Sequence, residues 1–147
     1  MSKFIQAFLT GIFITFIQDF FIFLGIKQNY INFYEIDVYY NILFADHQNI
    51  IIFMICSFIL GALVIYINNT KLSIITLSII SLLSVSTIIP SIGHKVGELL
   101  LMKKNITYKN SKYTFIGDAY YVGRKKITFY DYELKKIILL DKKELKR

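Results

Sequence analysis

FIQAFLTGIFITFIQDFFIFLGI, Phe4 to Ile26, contains a single charged side chain, Asp19. A helix needs about 20 mostly apolar residues to cross the hydrocarbon core of a bilayer, and inside that core every backbone polar group has to be satisfied within the segment. Two more apolar runs follow, IIIFMICSFILGALVIYI from Ile50 to Ile67 and LSIITLSIISLLSVSTIIPSI from Leu72 to Ile92, and neither holds a Lys, Arg, His, Asp or Glu. The chain therefore reads as an integral membrane α-helical protein with three transmembrane helices in residues 1–104. A small C-terminal antiparallel β meander is expected in residues 105–147.

Composition points the same way. A chain of 147 residues that is 55% hydrophobic, with a mean hydropathy of +0.53, is too apolar for an ordinary soluble domain and has room for one membrane unit plus one small appendage. The first run exceeds the roughly 7–15 apolar residues of a signal peptide and carries Gln18 and Asp19, so it is expected to be retained. The lone cysteine, Cys56, sits mid-run and reads as a small packing residue. Lys outnumbers Arg 15 to 2, and Ile, Phe, Tyr and Asn are abundant, a bias that fits an A+T-rich genome and favours a bacterial source; with the apolar runs, that makes the cell inner membrane the expected location.

On a helical wheel Ala7, Gly11, Thr15, Gln18 and Gly25 share one stripe of the first run. Small and hydroxylic stripes are how helices approach one another in lipid, where apolar side chains gain nothing by leaving their surroundings. Ser57 and Gly61 repeat the pattern in the second run, and Ser73, Thr76, Ser84, Thr87 and Ser91 in the third. Only Asn68 to Lys71 separates the second and third runs, which predicts a tight antiparallel helical hairpin. The first loop, Lys27 to Asn49, carries six tyrosines and phenylalanines with Glu35, Asp37 and Asp46, and reads as an interfacial aromatic belt or as a short segment lying on the bilayer surface.

Beyond Pro90 and Gly93, Val96 to Met102 is expected either to extend the third helix or to form a short amphipathic one, before strands at 106–109, 113–116, 119–122, 127–130 and 136–140. Turn residues fall between them at Asn110-Ser111, Gly117-Asp118, Gly123-Arg124 and Asp131 to Leu134, before a charged tail over Asp141 to Arg147. Lys27, Lys95, Lys103, Lys104, Lys109 and Lys112 flank one side of the membrane region and Lys3 and Lys71 the other. The positive-inside rule then puts the first loop and the C-terminus in the cytoplasm.

Candidate sites are few. Asp19, about 6 Å from the middle of a helix over Phe4 to Ile26, is costly in lipid unless paired, and with Gln18 it forms a possible intramembrane polar site. Lys103, Lys104, Arg124, Lys125 and Lys126 form a basic cluster suited to anionic lipid headgroups. His47 beside Asp46, and His94 four residues before Glu98, lack a third ligand, so no metal and no other cofactor is expected. No phosphate-loop pattern occurs, no catalytic set can be named, and the tyrosines of the β segment read as sheet faces, so no nucleic acid is expected. These observations favour an accessory or scaffolding subunit of a membrane complex whose basic β domain docks on membrane lipid, on another membrane protein, or on a second copy. A transporter or channel subunit using Asp19, and an interfacial enzyme using Asp37, Asp46 and His47 of loop 27–49, are the alternatives.

Overall fold

A computed structural model describes residues 2–67, 69–110 and 112–146. Asn68 of the expected helical turn, Ser111 of the 110–111 turn and Arg147 of the charged tail lie outside the described residues. Five helices precede an antiparallel sheet: α1 (Lys3–Ile26), α2 (Tyr40–His47), α3 (Ile50–Ile65), α4 (Thr70–Ser86) and α5 (Pro90–Leu101). Asparagine caps start α3 and α4, with Asn49 accepting from the Ile51 and Ile52 N–H groups and Asn69 from that of Leu72. At its far end α1 passes directly into a π-helical turn, Lys27–Ile31.

Of the described helices, α1 with its π continuation, Lys3–Ile31, is by itself long and apolar enough to cross a membrane. The second and third candidates reach that length only as bent pairs, α2 with α3 at 85° and α4 with α5 at 87°. The third apolar run thus does not continue unbroken to Ile92. Pro90 has no N–H for the Ser86 carbonyl and its ring would clash with that turn, so α4 ends, tight turns follow, and Pro90 opens α5 at its first position.

The small-residue stripe of α1 is buried at all five positions, Ala7, Gly11, Thr15, Gln18 and Gly25. It forms an antiparallel seam with α3, so close that a Cβ on Gly11 would meet the Ser57 carbonyl and one on Gly61 the Ala7 carbonyl. Helix α4 joins the other half of α1: Gln18 Nε2 donates to Ser81 Oγ at 3.1 Å and the Thr87 hydroxyl donates to the Phe21 carbonyl at 3.0 Å. The expected α3–α4 hairpin is looser than predicted. Ser73 Oγ bonds the Leu63 carbonyl near the turn, but both helices pack mainly on α1, because its stripe offers the close backbone approach. Ser91, expected on the α4 stripe, is exposed on α5 after the bend.

Along much of α1, α3 and α4 large apolar side chains point outward and small polar ones inward. Phe4, Leu9, Phe13, Ile51, Ile55, Ile59, Ile75, Ile79, Leu82 and Leu83 face outward, whereas Thr15, Gln18, Ser57, Ser73 and Ser84 are buried.

The sheet has the order β4-β3-β2-β1-β5, with β1 (Lys103–Asn110), β2 (Thr114–Val122), β3 (Lys126–Asp131), β4 (Lys136–Asp141) and a two-residue β5 (Leu145–Lys146). The edge strands β4 and β5 lie at opposite ends of that order yet are joined by residues 142–144, a reach of at most about 14 Å. The sheet is therefore curled around its own small core of Ala119, Ile127, Phe129 and Leu140, on which Leu145 also packs. Gly117-Asp118 is not a turn. It lies inside β2, where a Cβ on Gly117 would meet the Tyr130 carbonyl, and a bulge after Ala119 bends the strand instead.

The other face of β2 docks on the helices. Tyr30, fully buried, donates its hydroxyl to the Tyr120 carbonyl at 2.8 Å, and Phe23, Ile26, Ile36, Leu43, Leu101 and Tyr121 complete a single core shared by α1, the first loop, α5 and the sheet.

Candidate functional site

The docking of sheet on loop creates a cleft of about 720 Å³. One wall is the loop segment 34–39. Its alternation buries Ile36 and Val38 and leaves Glu35, Asp37 and Tyr39 exposed at the rim. The other wall is the β2–β3 hairpin with Arg124, Lys125 and Lys126, and the floor comes from Ile42, Tyr121, Thr128, Ile137 and Leu139. Ile137 and Leu139 alternate with core-facing Ile138 and Leu140 along the edge strand β4, which leaves an apolar surface uncovered on the cleft side.

Arg124 is fixed. Its Nε and Nη2 donate to the carboxylate of Asp46 on α2, at 2.6 Å for the shorter pair, which joins the hairpin to the first loop. Those hydrogen bonds, and then the guanidinium charge, hold the Asp46 carboxyl below its ordinary value. Lys104 pairs with Glu98 at 3.0 Å, so the histidine-glutamate spacing of α5 is used for an ion pair across to β1. Lys125 and Lys126 form no ion pair among the described residues. Strand register brings Lys103, the Arg124–Lys126 hairpin and Lys142 to the end of the sheet nearest the helices: Lys103 pairs with Ala119, Lys126 with Asp141, and the Lys142 N–H donates to the Lys125 carbonyl. Of the basic residues singled out from sequence, Lys104 and Arg124 are each committed to a carboxylate.

The second expected site lies between helices. Asp19 Oδ2 accepts from Gln48 Nε2 at 2.9 Å, one residue before the Asn49 cap of α3. Asp19 is therefore level with the beginning of α3, and its partner comes from the same chain. Gln18 points into the α1–α4 contact, where Nε2 reaches Ser81, while Gln18 Oε1 and Thr15 Oγ1 are buried without a partner among the described residues.

Asp37, Asp46 and His47 have different surroundings. Asp37 lines the cleft, Asp46 is held by Arg124, and His47 contacts the Leu43 carbonyl and stacks near Tyr121. His94 sits among the rings of Tyr30, Phe33 and Tyr34. Among the described residues no three His, Cys, Asp or Glu side chains form a metal-holding group. Sequence reasoning missed Glu35 as a wall residue, Tyr30 as the bolt between helices and sheet, and Asn29, whose amide caps the Thr87 and Ile88 carbonyls at the α4 bend. The Glu35 to Tyr39 alternation carried a legible signal for the wall; the other two act across 58 to 90 positions and left none. No protein family, characterised protein or solved structure matches this chain.

Proposed function

We propose that the protein is a small multi-pass inner-membrane protein with three membrane-crossing helices, acting as an accessory or scaffolding subunit whose basic β domain docks on lipid or on a partner. The observation that carries this reading is the side-chain arrangement of α1, α3 and α4 beside a basic sheet end, with apolar side chains outward and small polar ones at the helix contacts. At 1.5 Å per residue α3 and α4 are about 24 and 26 Å long, a few ångströms short of a ~30 Å core, a mismatch that local thinning and the flanking Tyr66-Ile67 and Ile88-Ile89 accommodate. A cytoplasmic C-terminus follows from the lysine asymmetry. Epitope-tagged protein extracted from native membranes in mild detergent should run as a complex, with another membrane protein or a second copy. A bare monomer that also ignores anionic vesicles would remove this reading.

A second reading, a transporter or channel subunit, is favoured by one observation: the buried oxygens of Thr15, one turn before Asp19, and of Gln18, next to it, which have no partner among the described residues. Asp19→Asn should then abolish solute flux in liposomes, and equal flux would end it.

A further inference from the structure

We propose that the cleft between loop 34–39 and the β2–β3 hairpin binds an aminophospholipid, a lipid of the phosphatidylethanolamine class. The phosphate would sit against Lys125 and Lys126, the ammonium against Glu35 and Asp37, and an acyl chain along Ile42, Ile137 and Leu139. The assignment rests on the reading of the helices as membrane-embedded.

The charges select the headgroup. Arg124 is already taken by Asp46, so the rim presents two ammonium groups, Lys125 and Lys126, opposite two carboxylates, Glu35 and Asp37. Lys27, which feels the charge of Asp37, is the other cation near that wall. A simple anion entering here meets two carboxylates and a simple cation two ammonium groups. A ligand carrying phosphate and primary ammonium a few ångströms apart satisfies both walls, and an ethanolamine ammonium has three N–H donors where a choline has none. The floor selects a lipid over a free phosphoamine. Leu139 is 65% exposed and Ile137 45%, beside Ile42, on a surface that none of the described residues covers. The volume lies inside the roughly 300–1,000 Å³ typical of small-ligand sites. The position suits a lipid as well, because α2, which supplies Ile42, bends at 85° into α3, whose first residue begins an apolar run. Through Ile42 the cleft is thus joined, by one short helix, to the start of that apolar run.

The test places a benzophenone amino acid at Leu139 in the full chain, reconstituted separately in bilayers of phosphatidylethanolamine, phosphatidylglycerol and phosphatidylcholine carrying the same acyl chains, with adducts read by intact mass after illumination. The expected result is a one-lipid adduct at several-fold higher yield in phosphatidylethanolamine. Lys125→Ala with Lys126→Ala should lower it, and Glu35→Gln with Asp37→Asn should bring it down to the phosphatidylcholine level. All four are exposed positions, so the fold should tolerate the changes. Equal yields in all three lipids, a preference for phosphatidylglycerol, or an adduct of twice the chain mass would overturn the assignment, the last by showing a second copy on β4. The same probe at Leu82, 70% exposed on α4, separates the two failures. Lipid adducts at Leu82 without any at Leu139 leave the membrane reading standing and remove the cleft; no lipid adduct at either position removes both.

Discussion

Arg124 and Asp46 are 78 positions apart, and each looks unremarkable in its own neighbourhood: one in a Gly-Arg-Lys-Lys turn, the other beside a histidine. In the fold they clamp the β2–β3 hairpin onto α2. Because the folded Asp46 carboxyl is held below its ordinary 3.8 by the Arg124 hydrogen bonds, it takes up a proton less readily docked than free. The contribution of the contact is thus fully present above that ordinary value and is lost as pH falls through the depressed folded value. Amide exchange in the hairpin should be slower in the natural chain than in Asp46→Asn at neutral pH, with the gap closing once the medium is more acidic than the folded carboxyl. Concentrated salt should narrow it too, since both side chains touch solvent. A gap that persisted in strong acid would mean the contact acts by shape and not by charge. Sequence exposed the charge of Arg124 and Asp46 but not their pairing; a lone residue announces its chemistry, and its partner is decided by the fold.

Helix α1 was legible as an element because its message repeats every turn. Five small or polar residues on one stripe predicted the buried face, and all five are buried. The seam with α3 depends on backbones touching at Gly11 and Gly61, so Gly11→Leu must push the helices apart, at a cost of about 1–3 kcal/mol or more. Phe13→Leu, on the outward face, should change stability by less than about 0.5 kcal/mol. Unfolding by SDS titration followed by circular dichroism separates them, and similar effects for both would mean that α1 and α3 are not packed through this stripe. Elements that end for one local reason were harder to read. The third run looked continuous since Thr87, Ile88 and Ile89 are as apolar as their neighbours, and only Pro90 marked the break. Gly117-Asp118 carried turn chemistry, yet the glycine serves close strand approach inside β2, a use that turn statistics cannot separate from a bend.

Taken as a whole, the molecule has two ends. Tyr30 on Tyr120 and Asp46 on Arg124 put loop 27–49 and the sheet at the far end of α1, while its beginning lies beside the end of α3, which is followed by the start of α4 with Lys71. If α3 and α4 each cross the bilayer, Lys71 must face the opposite compartment from Tyr39 and Lys125, despite the 85° and 87° bends that shorten both helices. Single cysteines at these three positions in a Cys56→Ser background, treated with an impermeant maleimide on intact cells, report this directly. The lysine asymmetry predicts labelling at position 71 from outside, and at 39 and 125 only after permeabilisation. The reversed pattern would keep three crossings and exchange the compartments, moving the basic sheet end to the outer surface. Labelling of all three from one side would make α3 and α4 a hairpin that enters and leaves by the same face, with α1 the single crossing. The outward isoleucines of α3 and α4 would then be sunk in one leaflet, with the cleft residues Tyr39 and Lys125 on the same side of the membrane as Lys71.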